Sequence, residues 1–154
     1  MTAIFATAST HVGLLVATCL LFMVRQSVNV FNWRSKLQPS ISHSTAEAEI
    51  RALNECALDA KWLRRMVGDV TGKAITEPTP LHEDSRAAEM WTRNPHHHAR
   101  QKHIDRCDLS VREQVLEFKT ITIRLVRTHE QLADCFTKSL PIPAFRRNVE
   151  QLLG

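Results

Sequence analysis

A chain of 154 residues with 44% hydrophobic and 23% charged residues is the size of one soluble globular domain, large enough to bury a core without staples. A net charge of +4 and a pI near 9.1 lean towards anionic partners, nucleic acid first. Four scattered cysteines with no C-x-x-C pair argue against a disulfide framework or a zinc ribbon.

The charge is uneven along the chain. Residues 1–46 carry Arg25, Arg34 and Lys36 and no acid, so all 16 Asp and Glu residues lie at position 47 or later. Residues 1–24 are uncharged apart from His11, with a dense apolar run at 12–24. That run is short for a membrane span and close to a signal-peptide core in length. A basic leader and a clean cleavage site are both missing, so buried strand is the better reading and a membrane role is not expected. Residues 19–33 read as strand, with Arg25 and Gln26 fitting a turn between two strands, before the polar break RSKLQPS.

A long helix is predicted from Ser44. Ser44 or Thr45 can cap it, with Glu47 placed as in a capping box, and GDVTGK ends it. Leu53, Cys56, Ala60, Leu63 and Val67 form its apolar stripe. At about 100° per residue Glu49 falls within roughly 40° of every member of that stripe, whereas Glu47 falls on the polar side with Arg51, Asn54 and Lys61. A carboxylate facing a core must be paired, protonated or bound to metal, which makes Glu49 the candidate of the two.

PTPLHEDSRAAEMW (78–91) reads as a short strand that stops at Glu83 and Asp84 and enters a helix, with Asp84 or Ser85 able to cap it. NPHHHARQKHID (94–105) is a loop leading into a helix, DLSVREQVLEF. KTITIRLVR (119–127) alternates cleanly, with Ile121, Ile123 and Leu125 on one face, and is a strand. A helix with Asp134 one turn in is predicted over 128–138, then a proline-marked turn and a final amphipathic helix. The order is that of an α/β protein with a mixed sheet. Glu49, Asp84 and Asp134, each at a helix or strand-end position, raise a hard-cation site for Mg²⁺ or Mn²⁺.

Four ordered blocks, NWRSKLQPSISHSTAEAEIRAL, PTPLHEDSRAA, NPHHHARQKHID and VRTHEQLADCFTKSLPIPAF, resemble the ribonuclease H domain of copia-type retrotransposon Pol polyproteins. The resemblance covers about residues 20–154, and it divides the chain into a divergent segment 1–18 and a ribonuclease H-like domain 19–154. It implies a mixed five-stranded sheet flanked by helices, with the first strand altered or missing. It also implies hydrolysis of the RNA strand of RNA–DNA hybrids, with two Mg²⁺ (or Mn²⁺) ions held by carboxylates, alongside the reverse transcriptase domain of the same polyprotein. The implied setting is cytoplasmic, in a virus-like particle, or nuclear, and not secreted. Residue by residue, the family's metal-binding carboxylates fall on Glu49, Asp84 and Asp134, and His129 falls where related nucleases have a mobile histidine that assists product departure.

Ser85, His98, Arg100, Lys102 and His103 match family blocks and are candidate nucleic-acid contacts, as are the basic residues Arg34 and Lys36. Lys61, Arg64 and Arg65 could track phosphates too, with plain solvation an equal alternative. The histidines at 96–98 and 103 lack the partners of a zinc set, and Asp105 ranks below Asp134 as a metal ligand. Trp62, Trp91 and Phe145 fall in helical apolar patterns and are expected in the core. One departure weighs most: the family's first catalytic aspartate belongs on the opening strand, and no acid stands there. The resemblance therefore implies impaired catalysis, or a non-catalytic remnant that keeps the fold and binds nucleic acid.

Overall fold

Three long strands open the chain, rich in Val, Ile, Phe and Thr, the side chains that suit a pleated surface. They are β1 (Thr2–His11), β2 (Leu15–Val24) and β3 (Ser27–Leu37). The computed structural model describes residues 2–11, 15–24, 27–38, 42, 44–94 and 106–153. The remaining elements are α1 (Thr45–Thr71), β4 (Thr79–Glu83), α2 (Arg86–Arg93), α3 (Arg106–Leu116), β5 (Ile121–Leu125) and α4 (Ile142–Leu153). The sheet runs β3-β2-β1-β4-β5, antiparallel across the first three strands and parallel from β1 through β4 to β5. The opening strand is therefore present, at the centre of the sheet; it is altered in sequence, not missing. No described helix is long and apolar enough to cross a membrane.

The Ser44 hydroxyl accepts the Glu47 N–H at 3.1 Å and starts α1. Gly72, at φ 65°, stops it in the left-handed conformation that glycine adopts without Cβ strain. The predicted stripe is buried in full and joins Leu81, Ile121, Ile123, Trp91 and Val111 in one core cluster. α1 also touches α2 and α3, so it buries more of its circumference than the stripe alone. That corrects the placing of Glu47 and Asn54 on a solvated face: both are buried. Gln38, just past β3, donates to the Ala48 carbonyl at 3.1 Å and covers the first turn, and Glu47 takes Arg51 as its partner at 2.7 Å. Helical periodicity cannot register a segment that folds back over the helix from elsewhere.

On β3, Arg34 and Lys36 reach Glu55 and Asp59 of α1, whereas Trp33 stacks on Phe136 at 5.4 Å and the Ser35 hydroxyl donates to the Phe136 carbonyl. Alternation along the strand thus assigns α1 to one face of the sheet and the segment around Phe136 to the other. Leu20 pairs with Asn32 and Leu21 with Val30, leaving Phe31 as a bulge on this edge strand. The bulged ring leans on Trp62, 6.3 Å away, and Trp62 stays exposed at the rim of α1. Trp62 and Phe145 are thus corrections to the expected core, while Trp91 is buried beneath the Arg112 guanidinium, 4.2 Å from its ring centre. Leu125 is exposed at the end of β5, unlike Ile121 and Ile123. The helix expected over 128–138 is two short 3₁₀ turns, Thr128–Glu130 and Leu132–Phe136.

Candidate functional site

The alternation of β4 decides which side chains its C-terminal end presents. Thr79, Leu81 and Glu83 share the buried face, and Glu83 is fully enclosed at the strand's last position. Its Oε1 accepts the Ser85 N–H at 2.9 Å; its Oε2 has no hydrogen-bond partner among the described residues. Burial pushes the Glu83 carboxyl well above the ordinary carboxylate range, and the charge of Glu49 across on α1 pushes it further. Asp84 adds to the same repulsion from the next position. Glu49 itself is half-buried, with one carboxylate oxygen shielded from solvent.

The structure therefore brings Glu49 and Asp84 into one electrostatic neighbourhood and adds Glu83, which the sequence reading passed over. The signal was present in the two-residue period Thr79, Leu81, Glu83. It was outweighed by the motif, which places its aspartate one residue later. Ser85 caps α2, accepting the Ala88 N–H, and this fixes the sharp exit of the chain from β4.

Asp134 lies in the second 3₁₀ turn, 3% exposed, with the Lys138 ammonium 2.9 Å from its carboxylate. The buried Gln131 side chain donates to the His82 carbonyl at 3.2 Å, which ties this turn to the end of β4 one residue before Glu83. His129 is exposed, 4.0 Å from Glu130, and shares a cavity with Asp134. Among the described residues no group of three or more His, Cys, Asp or Glu is arranged as a ready metal cage. Arg34 and Lys36 are engaged by Glu55 and Asp59, a pairing that accounts for their charge within the fold. Arg64 is likewise used internally, donating to the Ile75 and Glu77 carbonyls and the Thr79 hydroxyl. His98, Arg100, Lys102, His103 and Asp105 lie outside the described residues.

A central strand flanked by one antiparallel and one parallel partner, with carboxylates at the parallel strand's end, is the layout of the ribonuclease H fold. The chain superposes on LC11-RNase H1, isolated from compost by a metagenomic approach, with a TM-score of 0.55 at 9% identity, over 96% of this chain and 97% of that one. In sequence it is 32% identical over 115 residues to the retrovirus-related Pol polyprotein from transposon RE1 of Arabidopsis thaliana, covering 75% of this chain. It is 34% identical over 115 residues to that from transposon TNT 1-94 of Nicotiana tabacum, again 75% of the chain. No family model matches. The chain belongs to the ribonuclease H-like region of retrotransposon Pol polyproteins. It spans about 8% of the length of these relatives.

Proposed function

We propose that the chain is the hybrid-cleaving domain of a retrotransposon Pol polyprotein, acting on the RNA strand of RNA–DNA hybrids beside a reverse transcriptase domain, and that its catalysis is crippled. The observation that carries this reading is Glu49 on α1 acting on Glu83 at the end of β4, with a buried Glu83 oxygen that has no hydrogen-bond partner among the described residues. Carboxylates so crowded are destabilised unless protonated or neutralised, and hard oxygen donors in that state suit a small divalent cation. Glu49, Asp84 and Asp134 are the residues that would hold it, and the Gln131 hydrogen bond draws the turn bearing Asp134 towards them. When bound, Mg²⁺ or Mn²⁺ would activate the attacking water and stabilise the leaving oxygen. Glu83 adds negative charge beside Asp84 on the same strand end and does not replace a ligand from β1. His129, exposed near Asp134, stands where it could assist departure of the cut strand.

The impairment follows from β1. Its register with β4 pairs Ala6 with Leu81 and Thr7 with His82, and Ala8 is the next residue along β1. An alanine there brings no oxygen donor, so a second dication would lack a ligand to hold it and to offset its repulsion by the first. Losing one ion removes several kcal/mol of charge stabilisation from the transition state, about a thousandfold or more in rate. The test compares the native chain with Ala8→Asp on an RNA–DNA hybrid in Mg²⁺. Weak or absent cleavage by the native chain and a rise of at least a hundredfold in Ala8→Asp are expected. Full native cleavage that Ala8→Asp leaves unchanged overturns the reading, and tight hybrid binding with no cleavage in either protein favours a non-catalytic remnant.

A further inference from the structure

Between the Asp134 turn and α4 lies a cavity of about 370 Å³, walled by Thr128, His129, Asp134, Lys138, Arg147 and Asn148. Its volume suits a small polar ligand. Lys138 and Arg147 share the lining with one carboxylate, Asp134, and the Lys138 ammonium lies 2.9 Å from it and balances its charge. Arg147 lines the cavity from α4 and donates through one guanidinium nitrogen to the His129 carbonyl, which leaves its other N–H groups to donate elsewhere. Planar guanidinium beside ammonium is the pairing that grips a phosphate with charge-assisted hydrogen bonds. A second, independent feature points inwards. Asn148 is 2% exposed, and its Oδ1 has no hydrogen-bond partner among the described residues. A buried amide oxygen without a donor costs stability, so a hydroxyl supplied by a ligand would find an acceptor waiting.

We propose that this cavity binds a ribonucleotide unit, its phosphate held by Lys138 and Arg147 and a sugar hydroxyl donating to Asn148. The proposal rests on the reading of the chain as an RNA-strand-directed domain and assigns that reading a subsite. The hydroxyl contact is what gives the cavity a preference for ribose over deoxyribose, since only the ribose carries the second donor.

The experiment uses the full chain without divalent ions and without any cleavage step, so its outcome is independent of whether the hybrid is cut. Adenosine 5′-monophosphate, its 2′-deoxy counterpart, unphosphorylated adenosine and inorganic phosphate are titrated in turn, with binding read by calorimetry and by NMR shifts of Thr128, Lys138 and Asn148. The ribonucleotide is expected to bind at least fivefold tighter than the deoxynucleotide, and adenosine not to bind. Arg147→Gln should weaken the ribonucleotide about tenfold with the fold intact by circular dichroism. Asn148→Leu should erase the ribose preference while keeping phosphate affinity; Asn148→Asp, a second variant in case the leucine disturbs packing, should weaken the phosphate-bearing ligands by repulsion. A 5′-phosphorylated RNA trinucleotide that binds tighter than the mononucleotide identifies a strand as the natural source; equal affinity identifies a free nucleotide. Equal binding of ribo and deoxy forms, or an unaltered affinity in Arg147→Gln, overturns the proposal.

Discussion

Glu83 is an enclosed carboxyl beside the charges of Glu49 and Asp84, and its pH behaviour follows from the direction of its shift. Its folded-state pKa is raised, so the unfolded chain releases this proton at lower pH than the folded one. The contribution to stability is fully present below the ordinary value of 4.5 and is lost as pH climbs towards the folded pKa. Glu83→Gln keeps the acceptor for the Ser85 N–H and removes the charge. At neutral pH it is expected to stabilise the chain by about 1 kcal/mol, a rise of a few degrees in Tm, with little effect at pH 4. Thermal melts across that range decide the matter; a native-like pH profile in Glu83→Gln would show that another group sets it. The same melts probe the metal reading without activity, because Mg²⁺ should raise the native Tm and leave Glu49→Gln, which lacks a proposed ligand, nearly unmoved. Cys135 gives a second residue-level expectation. Burial, with the Asp134 charge adding to it, raises its thiol to about 11, so the reactive thiolate is scarce at pH 8. Alkylation of Cys135, followed by peptide mass, should accelerate steeply only above pH 10, and fast labelling at pH 8 would contradict its burial.

At the scale of elements, α1 offers two glycines with opposite expectations. Gly72 ends the helix at φ 65°, and an added Cβ there would meet no atom within 4 Å. The cost of Gly72→Ala is therefore purely conformational, ~1 kcal/mol of destabilisation. Gly68 lies inside the helix, where a Cβ would sit 3.6 Å from the Lys73 carbonyl oxygen, an ordinary contact. Gly68→Ala is thus expected to stabilise by ~0.5–1 kcal/mol through helix propensity. Chemical denaturation of the pair measures both, and a shared sign would mean the helix end is not where the structure places it. The segment after β5 yields a different lesson. Its residues, THEQLADCFTK, have helical composition, yet the run is broken at Gln131, whose side chain is pinned to β4. That tether holds the chain between the two 3₁₀ turns, whereas the Lys138–Asp134 pair, at i,i+4 spacing, would suit a helix equally well.

For the whole molecule, uneven burial of its helices predicts uneven stability. α1 buries eleven of its 27 residues, whereas α4 buries only Asn148 and Leu152 of its 12. Local opening is cheapest where little apolar area is buried. In native-state hydrogen exchange, amides of α4 should therefore exchange well before those of α1 and β4; equal protection would indicate a single cooperative unit. Early opening of α4 would also expose the cavity holding Arg147 and Asn148.

What the sequence determined by itself was whatever local periodicity and ordered motifs encode. The α1 stripe, the cap at Ser44, the stop at Gly72 and the β5 alternation at Ile121 and Ile123 all follow from spacing along one element. The ribonuclease H-like region was legible because four motif blocks keep their order across the chain. What only the tertiary structure decided depends on which elements meet. Glu47 is buried although it lies off the apolar stripe, at a helix start where Gln38 bonds the Ala48 carbonyl, and Glu83 is fully enclosed where β4 lies between β1 and β5. Trp62 is exposed at the sheet edge, with the ring of the bulged Phe31 as its neighbour. Burial and electrostatic repulsion are sums over neighbours from distant parts of the chain. No window along the sequence contains them.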